Sequence, residues 1–261
     1  ALDHKRLAMM PISQPRAGEI KVIEEFPREV LGFQEHDFGR LSIWRLPEKG
    51  RRYGIGADPS HGKDVSGDKS GRNPDYSAGF VGDLETGEQV AMLRDRMRPG
   101  PFAEYLAMLG KFYNFAFMVP EANDPGFIDS LIKNYPVELV YTRRRDPTDR
   151  RPKTIQELGF ETTEQSRHWL VEAIDTAIRS GEITIHSSIM LQECYTFIYT
   201  ASGKVEHAKD CHDDTVIAGS LFVMARRYAP RVFRKYEEAS VLNRGRVPMK
   251  EYGKSKSDDD D

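Results

Sequence analysis

The chain has 261 residues, of which 30% are charged and 39% hydrophobic, and this balance is typical of a globular protein. Its net charge of −3 at pH 7 gives no argument for or against a nucleic-acid partner. Only two cysteines occur, Cys194 and Cys211, and their wide spacing argues against a thiolate zinc site and favours a reducing compartment. No apolar run reaches the roughly 20 residues of a membrane-spanning helix, so we expect a cytoplasmic protein without a membrane partner.

The first 50 residues combine mixed charge with scattered prolines and weak periodicity. A short helix is possible in "FPREVLGFQ", and the rest predicts a connector or arm. The chain begins with Ala rather than Met, from which we expect a piece of a longer protein.

Regular alternation starts at "RYGIGADPS", where apolar residues alternate with two glycines and Asp58 as in a strand. The glycine face of this strand predicts close approach by another element or a ligand. The stretch "YSAGFVGDLETGEQVAMLRDRM" predicts two further strands joined by a tight turn, so the first three strands should form an antiparallel meander.

Helical and extended segments alternate after this meander. "PGPFAEYLAMLGKFY" predicts an amphipathic helix, and "NFAFMVPEAN" a short buried strand with Glu121 at its carboxyl end. "PGFIDSLIKNY" predicts another helix and "VELVY" a fifth strand.

The carboxyl-terminal half predicts mainly helices. "TTEQSRHWLVEAIDTAIRSG" has a capping box of Thr162 with Gln165 and a stop signal at Gly181. A helix, a hairpin around Ser202 and Gly203 and a last helix follow, and this order of elements predicts an α/β protein with a mixed sheet.

Acidic residues occupy three informative places: Asp58 late in the first predicted strand, Glu121 after the fourth, and Asp213 with Asp214 at the start of the last helix. Each position alone is ordinary, because acids often end strands and cap helices. Glu121 is less ordinary, since it follows a run that should be buried and has no Lys or Arg within five residues. Clustered carboxylates repel one another, so the set predicts a site for Mg²⁺ or Mn²⁺.

Four stretches in order, "GIGADPSHGKD", "DYSAGFVGDLETGEQVA", "VPEAN" and "HDDTVIAGSL", resemble the acidic motifs of the nuclease domain of viral large terminase subunits. These subunits are the DNA-packaging motors of tailed bacteriophages and herpesviruses. The resemblance covers about residues 50 to 230 and implies an RNase H-like fold, with a mixed central sheet, an antiparallel three-strand meander and helices on both faces.

The resemblance also implies an activity: an Mg- or Mn-dependent endonuclease that cuts concatemeric double-stranded DNA during genome packaging. Asp58, Glu121 and one of Asp213 or Asp214 match the metal-binding acids. They would hold two divalent ions about 4 Å apart for hydrolysis of a phosphodiester. The family favours Asp214 as the ligand, which leaves Asp213 to cap the helix.

Three further residues receive auxiliary roles. Asp64 and Asp75 lie near the first acid along the chain, and His212 could orient a ligand or contact phosphate. His212 could equally be an ordinary residue before a helix.

One departure from the family is large: the P-loop of the terminase ATPase is absent, because "ADPSHGKD" lacks the first Gly and the final Ser or Thr. We therefore expect residues 1–50 to be an arm or linker from a missing ATPase domain, 51–230 the nuclease domain, and 231–261 a polar, disordered tail. The full-length protein would act with a small terminase subunit and a portal in the cytoplasm of the infected host cell.

Two basic stretches, "YTRRRDPTDRRPK" and "RRYAPRVFRK", could contact the phosphate backbone of DNA or could simply be solvated. The first supplies the predicted DNA-binding residues, Arg143, Arg144, Arg145, Arg150, Arg151 and Lys153. No base-reading motif occurs, so we expect no sequence preference. The alternatives are another RNase H-like enzyme, such as a transposase, integrase or resolvase, and a non-catalytic scaffold that holds DNA or a portal.

Overall fold

The computed structural model describes residues 2–23, 29–60, 75–143, 154–199, 205–208 and 211–230. Within these ranges the strands are β1 Arg16–Val22, β2 Val30–Glu35, β3 Leu41–Ile43, β4 Tyr53–Asp58, β5 Ser77–Asp83, β6 Gln89–Asp95, β7 Phe117–Pro120, β8 Phe197–Tyr199 and β9 Val205–His207. The α-helices are α1 His4–Leu7, α2 Pro99–Phe112, α3 Pro125–Asn134, α4 Glu164–Ser180, α5 Ser188–Tyr195 and α6 Asp214–Tyr228. No helix in this part of the chain is long and apolar enough to cross a bilayer.

Seven strands form one mixed sheet in the order β2-β1-β3-β6-β5-β4-β7. Neighbouring strands are antiparallel except β4 and β7, which run parallel. The predicted meander of β4, β5 and β6 is therefore confirmed, as is the mixed sheet.

Helices cover both faces of this sheet. On one face the aromatic ring of Phe222 in α6 packs against Phe80, with 4.9 Å between ring centroids. On the other face Gly79 of β5 lies against Leu106 and Phe102 of α2. The predicted layered arrangement is confirmed.

The two glycines of β4 let α6 approach the sheet closely. A Cβ atom on Gly56 would lie 2.0 Å from the carbonyl oxygen of Ala218 and 2.3 Å from the amide nitrogen of Phe222. The backbone of the helix therefore rests directly on the backbone of the strand, as the glycine face of the strand predicted. Every residue of α6 from Asp214 to Ala225 is buried.

The first 50 residues depart from the sequence-based expectation. They contribute β1, β2 and β3 to the main sheet, and the helix proposed for "FPREVLGFQ" is wrong because Val30–Glu35 is a strand. The signal was weak because β2 is an edge strand without a fully buried residue and β3 has only three residues. A link from this segment to an ATPase domain stays a prediction.

Two local predictions in the second half need correction. "VELVY" is no regular strand: Val137–Leu139 form a short 3-10 helix, and Val140 makes a single parallel bridge to Met118. The capping box of α4 uses Thr163 and Ser166, one residue later than predicted, while Gly181 ends the helix with a φ of 74° as expected.

The remaining elements match the prediction where they are described. β8 and β9 pair as an antiparallel hairpin, although its turn at Ser202 and Gly203 lies outside the described residues. The last helix ends at Tyr228, just before Pro230. The predicted tail, 231–261, also lies outside them.

Candidate active site

Asp58 and Glu121 lie side by side at the carboxyl ends of the two parallel strands. Ala57 is the register partner of Pro120, and the backbone N–H of Glu121 donates to the carbonyl oxygen of Ala57 over 2.8 Å. The carboxyl group of Glu121 is close enough to Asp58 to disfavour its ionisation. Burial, together with the charge of Glu121, holds the pKa of Asp58 well above its usual range.

Glu121 is held in place by Asn123, which the sequence analysis did not single out. The amide nitrogen of Asn123 donates to Oε1 of Glu121 over 3.3 Å. The same side chain also bonds the backbone N–H and C=O of Thr162, each over 3.2 Å. "VPEAN" contained this signal, because an Asn two residues after a buried acid can reach back to it.

Asp214 is the first residue of α6 and is 7% exposed. Its Oδ2 accepts a hydrogen bond from the backbone N–H of Tyr76 over 3.3 Å. Burial raises the pKa of Asp214 to about 7, although the Tyr76 bond opposes this, and the charges of Glu193, Asp75 and Asp213 raise it further. The charge of Asp214 also raises the pKa of Asp58, so these two carboxylates are electrostatic neighbours.

Asp213 occupies the N-cap position of α6, but its side chain makes no capping bond. Its carboxylate is instead paired with the guanidinium of Arg167 in α4. The backbone N–H of Thr215, in the first turn of α6, donates to the carboxylate of Glu193 in α5 over 2.9 Å. The expectation that Asp213 caps the helix through its side chain is therefore wrong, because a tertiary contact supplies the cap.

His212 and Asp75 stand at the rim of the acid cluster. Nδ1 of His212 lies 3.7 Å from Oδ1 of Asp75 and 3.6 Å from Oδ2 of Asp214. The histidine ring meets the ring of Tyr76 edge-on, with 5.2 Å between centroids. The Asp75 side chain is 77% exposed, so it is at most an outer participant. Asp64 lies outside the described residues.

The predicted DNA-binding residues can be placed only in part. The guanidinium of Arg143 bonds the Glu161 carboxylate and the carbonyl oxygen of Gln156. The other five residues, Arg144, Arg145, Arg150, Arg151 and Lys153, lie outside the described part of the chain.

The candidate site is a set of carboxylates that suits a hard divalent cation. Asp58, Glu121 and Asp214 offer only oxygen atoms, the donors that Mg²⁺ and Mn²⁺ prefer. Within the described ranges no three acids, histidines or cysteines already stand at distances that fit a single ion. A cation bound between Asp58 and Glu121 would relieve the electrostatic repulsion that raises the pKa of Asp58.

No protein-family model matches the chain, and no curated protein matches it. Solved structures do match. A large terminase nuclease from thermophilic phage G20c with bound cobalt has a TM-score of 0.57 at 17% identity, over 84% of this chain and 94% of that chain. The same nuclease with bound magnesium has a TM-score of 0.54 at 18% identity, over 84% of this chain and 94% of that chain. The large terminase nuclease domain of Thermus phage P74-26 has a TM-score of 0.53 at 20% identity, over 87% of this chain and 95% of that chain. The chain therefore has the RNase H-like fold of these nuclease domains.

Proposed function

We propose that this chain is the nuclease domain of a viral large terminase subunit. In this proposal it is a metal-dependent endonuclease that cuts concatemeric double-stranded DNA during genome packaging. The observation that supports the proposal is the placing of Glu121 beside Asp58 at the carboxyl ends of β7 and β4, with Asp214 near enough to raise the pKa of Asp58, in a fold shared with terminase nucleases. Structures of one such nuclease hold cobalt, magnesium or zinc, which supports a divalent ion here.

The chain's own residues would prepare the site for the reaction. Two bound ions, Mg²⁺ or Mn²⁺, would supply activation of a water molecule and stabilisation of the departing 3′ oxygen. Asp58 and Glu121 offer carboxylate oxygens from two rigid strands, and Asp214 offers one from the start of a helix. Asn123 fixes the orientation of Glu121, and His212 stands beside Asp214 where a phosphate oxygen could be met.

The larger context follows from the same proposal. The domain would be joined to an ATPase domain and would work with a small terminase subunit and a portal in the infected host cell. Phosphate contacts are assigned to the basic stretch 143–153. Because Arg143 is already bonded to Glu161, the other five basic residues carry this assignment.

Plasmid cleavage tests the proposed activity. Linear and supercoiled plasmid should be cut in Mg²⁺ or Mn²⁺, and Asp58→Asn and Glu121→Gln should each lower the rate at least about 100-fold, because each removes a metal ligand. Asp37→Asn, a matched change at an exposed aspartate, should leave the rate unchanged. DNA binding in EDTA should persist in all variants.

Other outcomes of this assay would contradict the proposal. Intact plasmid with normal DNA binding would favour a scaffold. Strand joining or selective cutting of branched junctions would favour another RNase H-like enzyme.

Thermal unfolding without DNA gives a separate prediction for the metal ions. Mn²⁺ at 100 times its Kd should stabilise the wild-type domain by about 2.7 kcal/mol, which corresponds to roughly 5–10 °C in Tm. Asp58→Asn should raise Tm in EDTA, because the amide avoids the cost of burying an ionisable carboxyl group beside other carboxyl groups, and should largely abolish the Mn²⁺ effect. A full Mn²⁺ shift in Asp58→Asn would mean that the ion binds elsewhere.

A further inference from the structure

We propose that Glu193 and Arg94 are positioning residues that hold Asp214 in place for metal binding. The proposal rests on the proposed function, because it concerns the same site. Neither residue belongs to the acidic motifs, and neither is a metal ligand in the proposed function. Their role is inferred from a closed chain of contacts, which runs through Asp214, Thr215, Glu193, Arg94 and Tyr76 and returns to Asp214.

Glu193 forms one half of this chain. It lies on α5 and is 6% exposed, and its Oε2 accepts bonds from the backbone N–H of Thr215 over 2.9 Å and from the Thr215 hydroxyl. Its Oε1 accepts a bond from Nη2 of Arg94 over 3.3 Å. Because Thr215 directly follows Asp214, Glu193 fixes the first turn of α6 and with it the direction of the Asp214 side chain.

Arg94 and Tyr76 form the other half. The guanidinium carbon of Arg94 lies 3.5 Å from the ring centroid of Tyr76, within the range of a cation–π contact. The backbone N–H of Tyr76 in turn donates to Oδ2 of Asp214. Asp214 is therefore supported through the next residue, Thr215, on one side and through its own carboxylate on the other.

Arg94 does not reach the acids directly. Ala78 of β5 pairs with Asp58 on one side and with Arg94 on the other, so Arg94 stands two strands from Asp58. Neighbouring strands are about 4.8 Å apart, which puts roughly 10 Å between the two backbones. The contacts that join Arg94 to the site run through Glu193 and Tyr76.

Stability alone is a poor explanation of this arrangement. A buried ion pair is often no more stabilising than a well-packed apolar pair. Within the described part of the chain Nε of Arg94 is buried without a hydrogen-bond partner, which is costly. The N-cap of α6 is already an aspartate, which could have capped the helix locally. Capping by Glu193 instead leaves Asp213 to pair with Arg167.

Titration with Mn²⁺ in the absence of DNA tests the proposal. Glu193→Gln should weaken Mn²⁺ binding roughly 10- to 100-fold, the usual effect of removing a group that orients a ligand. Adding Glu193→Gln to Asp214→Asn should cause no further loss, because the ligand that Glu193 positions is already gone. Thr215→Val, which removes only the hydroxyl bond, should weaken binding less, by roughly three- to tenfold. If Glu193→Gln does not fold, Thr215→Val serves as the test variant in its place.

Val223→Ala controls for simple loss of stability. It truncates a buried side chain on the same helix, 2% exposed, and should lower Tm while leaving Mn²⁺ affinity unchanged. Wild-type affinity in Glu193→Gln, or independent losses in the double variant, would overturn the positioning role while the proposed function stands. If the wild-type protein binds no Mn²⁺, the proposed function and this proposal both fall.

Discussion

Asp214→Asn should abolish DNA cleavage, whereas Asp213→Asn should leave a readily measured activity. The two aspartates are neighbours in sequence but differ in their surroundings. Asp214 is bonded to the Tyr76 backbone, faces His212 and acts on the pKa of Asp58 more strongly than Asp213 does. We expect a loss of at least about 100-fold for Asp214→Asn, as for loss of a ligand, and no more than about tenfold for Asp213→Asn.

The smaller effect at Asp213 follows from its partner. Its carboxylate is paired with Arg167, so its charge is already compensated and its Oδ2 is already engaged. Cleavage rates at saturating Mn²⁺, compared with Tm in EDTA, would separate a lost ligand from a lost ion pair. Abolished cleavage in Asp213→Asn with retained cleavage in Asp214→Asn would reverse the assignment.

Gly56→Ala should prevent the domain from folding. The added Cβ atom would meet backbone atoms of α6 at 2.0 and 2.3 Å, and a backbone cannot move aside as a side chain can. We expect a loss of more than about 4 kcal/mol in the free energy of unfolding, at the extreme of single substitutions. This is a large part of the roughly 5–15 kcal/mol that keeps a domain folded, so the variant should be insoluble or unfold at low urea.

Two other glycines provide graded controls for that experiment. Gly54→Ala would meet mainly the Leu84 and Ala225 side chains, the nearer at 2.7 Å, and should cost less because Leu84 can rotate. Gly100→Ala would meet nothing within 4 Å and should be close to neutral. Wild-type stability of Gly56→Ala in urea unfolding would mean that α6 does not rest on β4.

The sequence predicted the part of the fold that surrounds the acids. In β4 and α6 the local pattern and the tertiary environment agree: the alternation with glycine marked a strand covered closely on one face, and the apolar run marked a buried helix. The acids were recognisable because Glu121 is out of place after a buried strand. The local residue pattern alone specifies these elements.

Other features depend on contacts that no local pattern carries. The partly exposed edge strand β2 lacks the strict alternation of a half-buried strand. The cap on α6 comes from Glu193, 22 residues earlier in the chain, and Asn123 joins Glu121 to Thr162, 39 residues beyond Asn123. A single sequence reveals that an acid or amide is present, but the partner it meets is decided by how the helices pack.

The direct contact between the α6 and β4 backbones also determines how the site tolerates change. In most layered proteins a helix is separated from its sheet by interlocking side chains, and substitutions there shift the helix by small amounts. Here no side chain intervenes at Gly56, so repacking elsewhere in the core cannot easily slide α6 along β4. The placing of Asp214 relative to Asp58 is thereby tied to a main-chain contact two residues before Asp58 on β4, and not only to the fit of side chains between the layers.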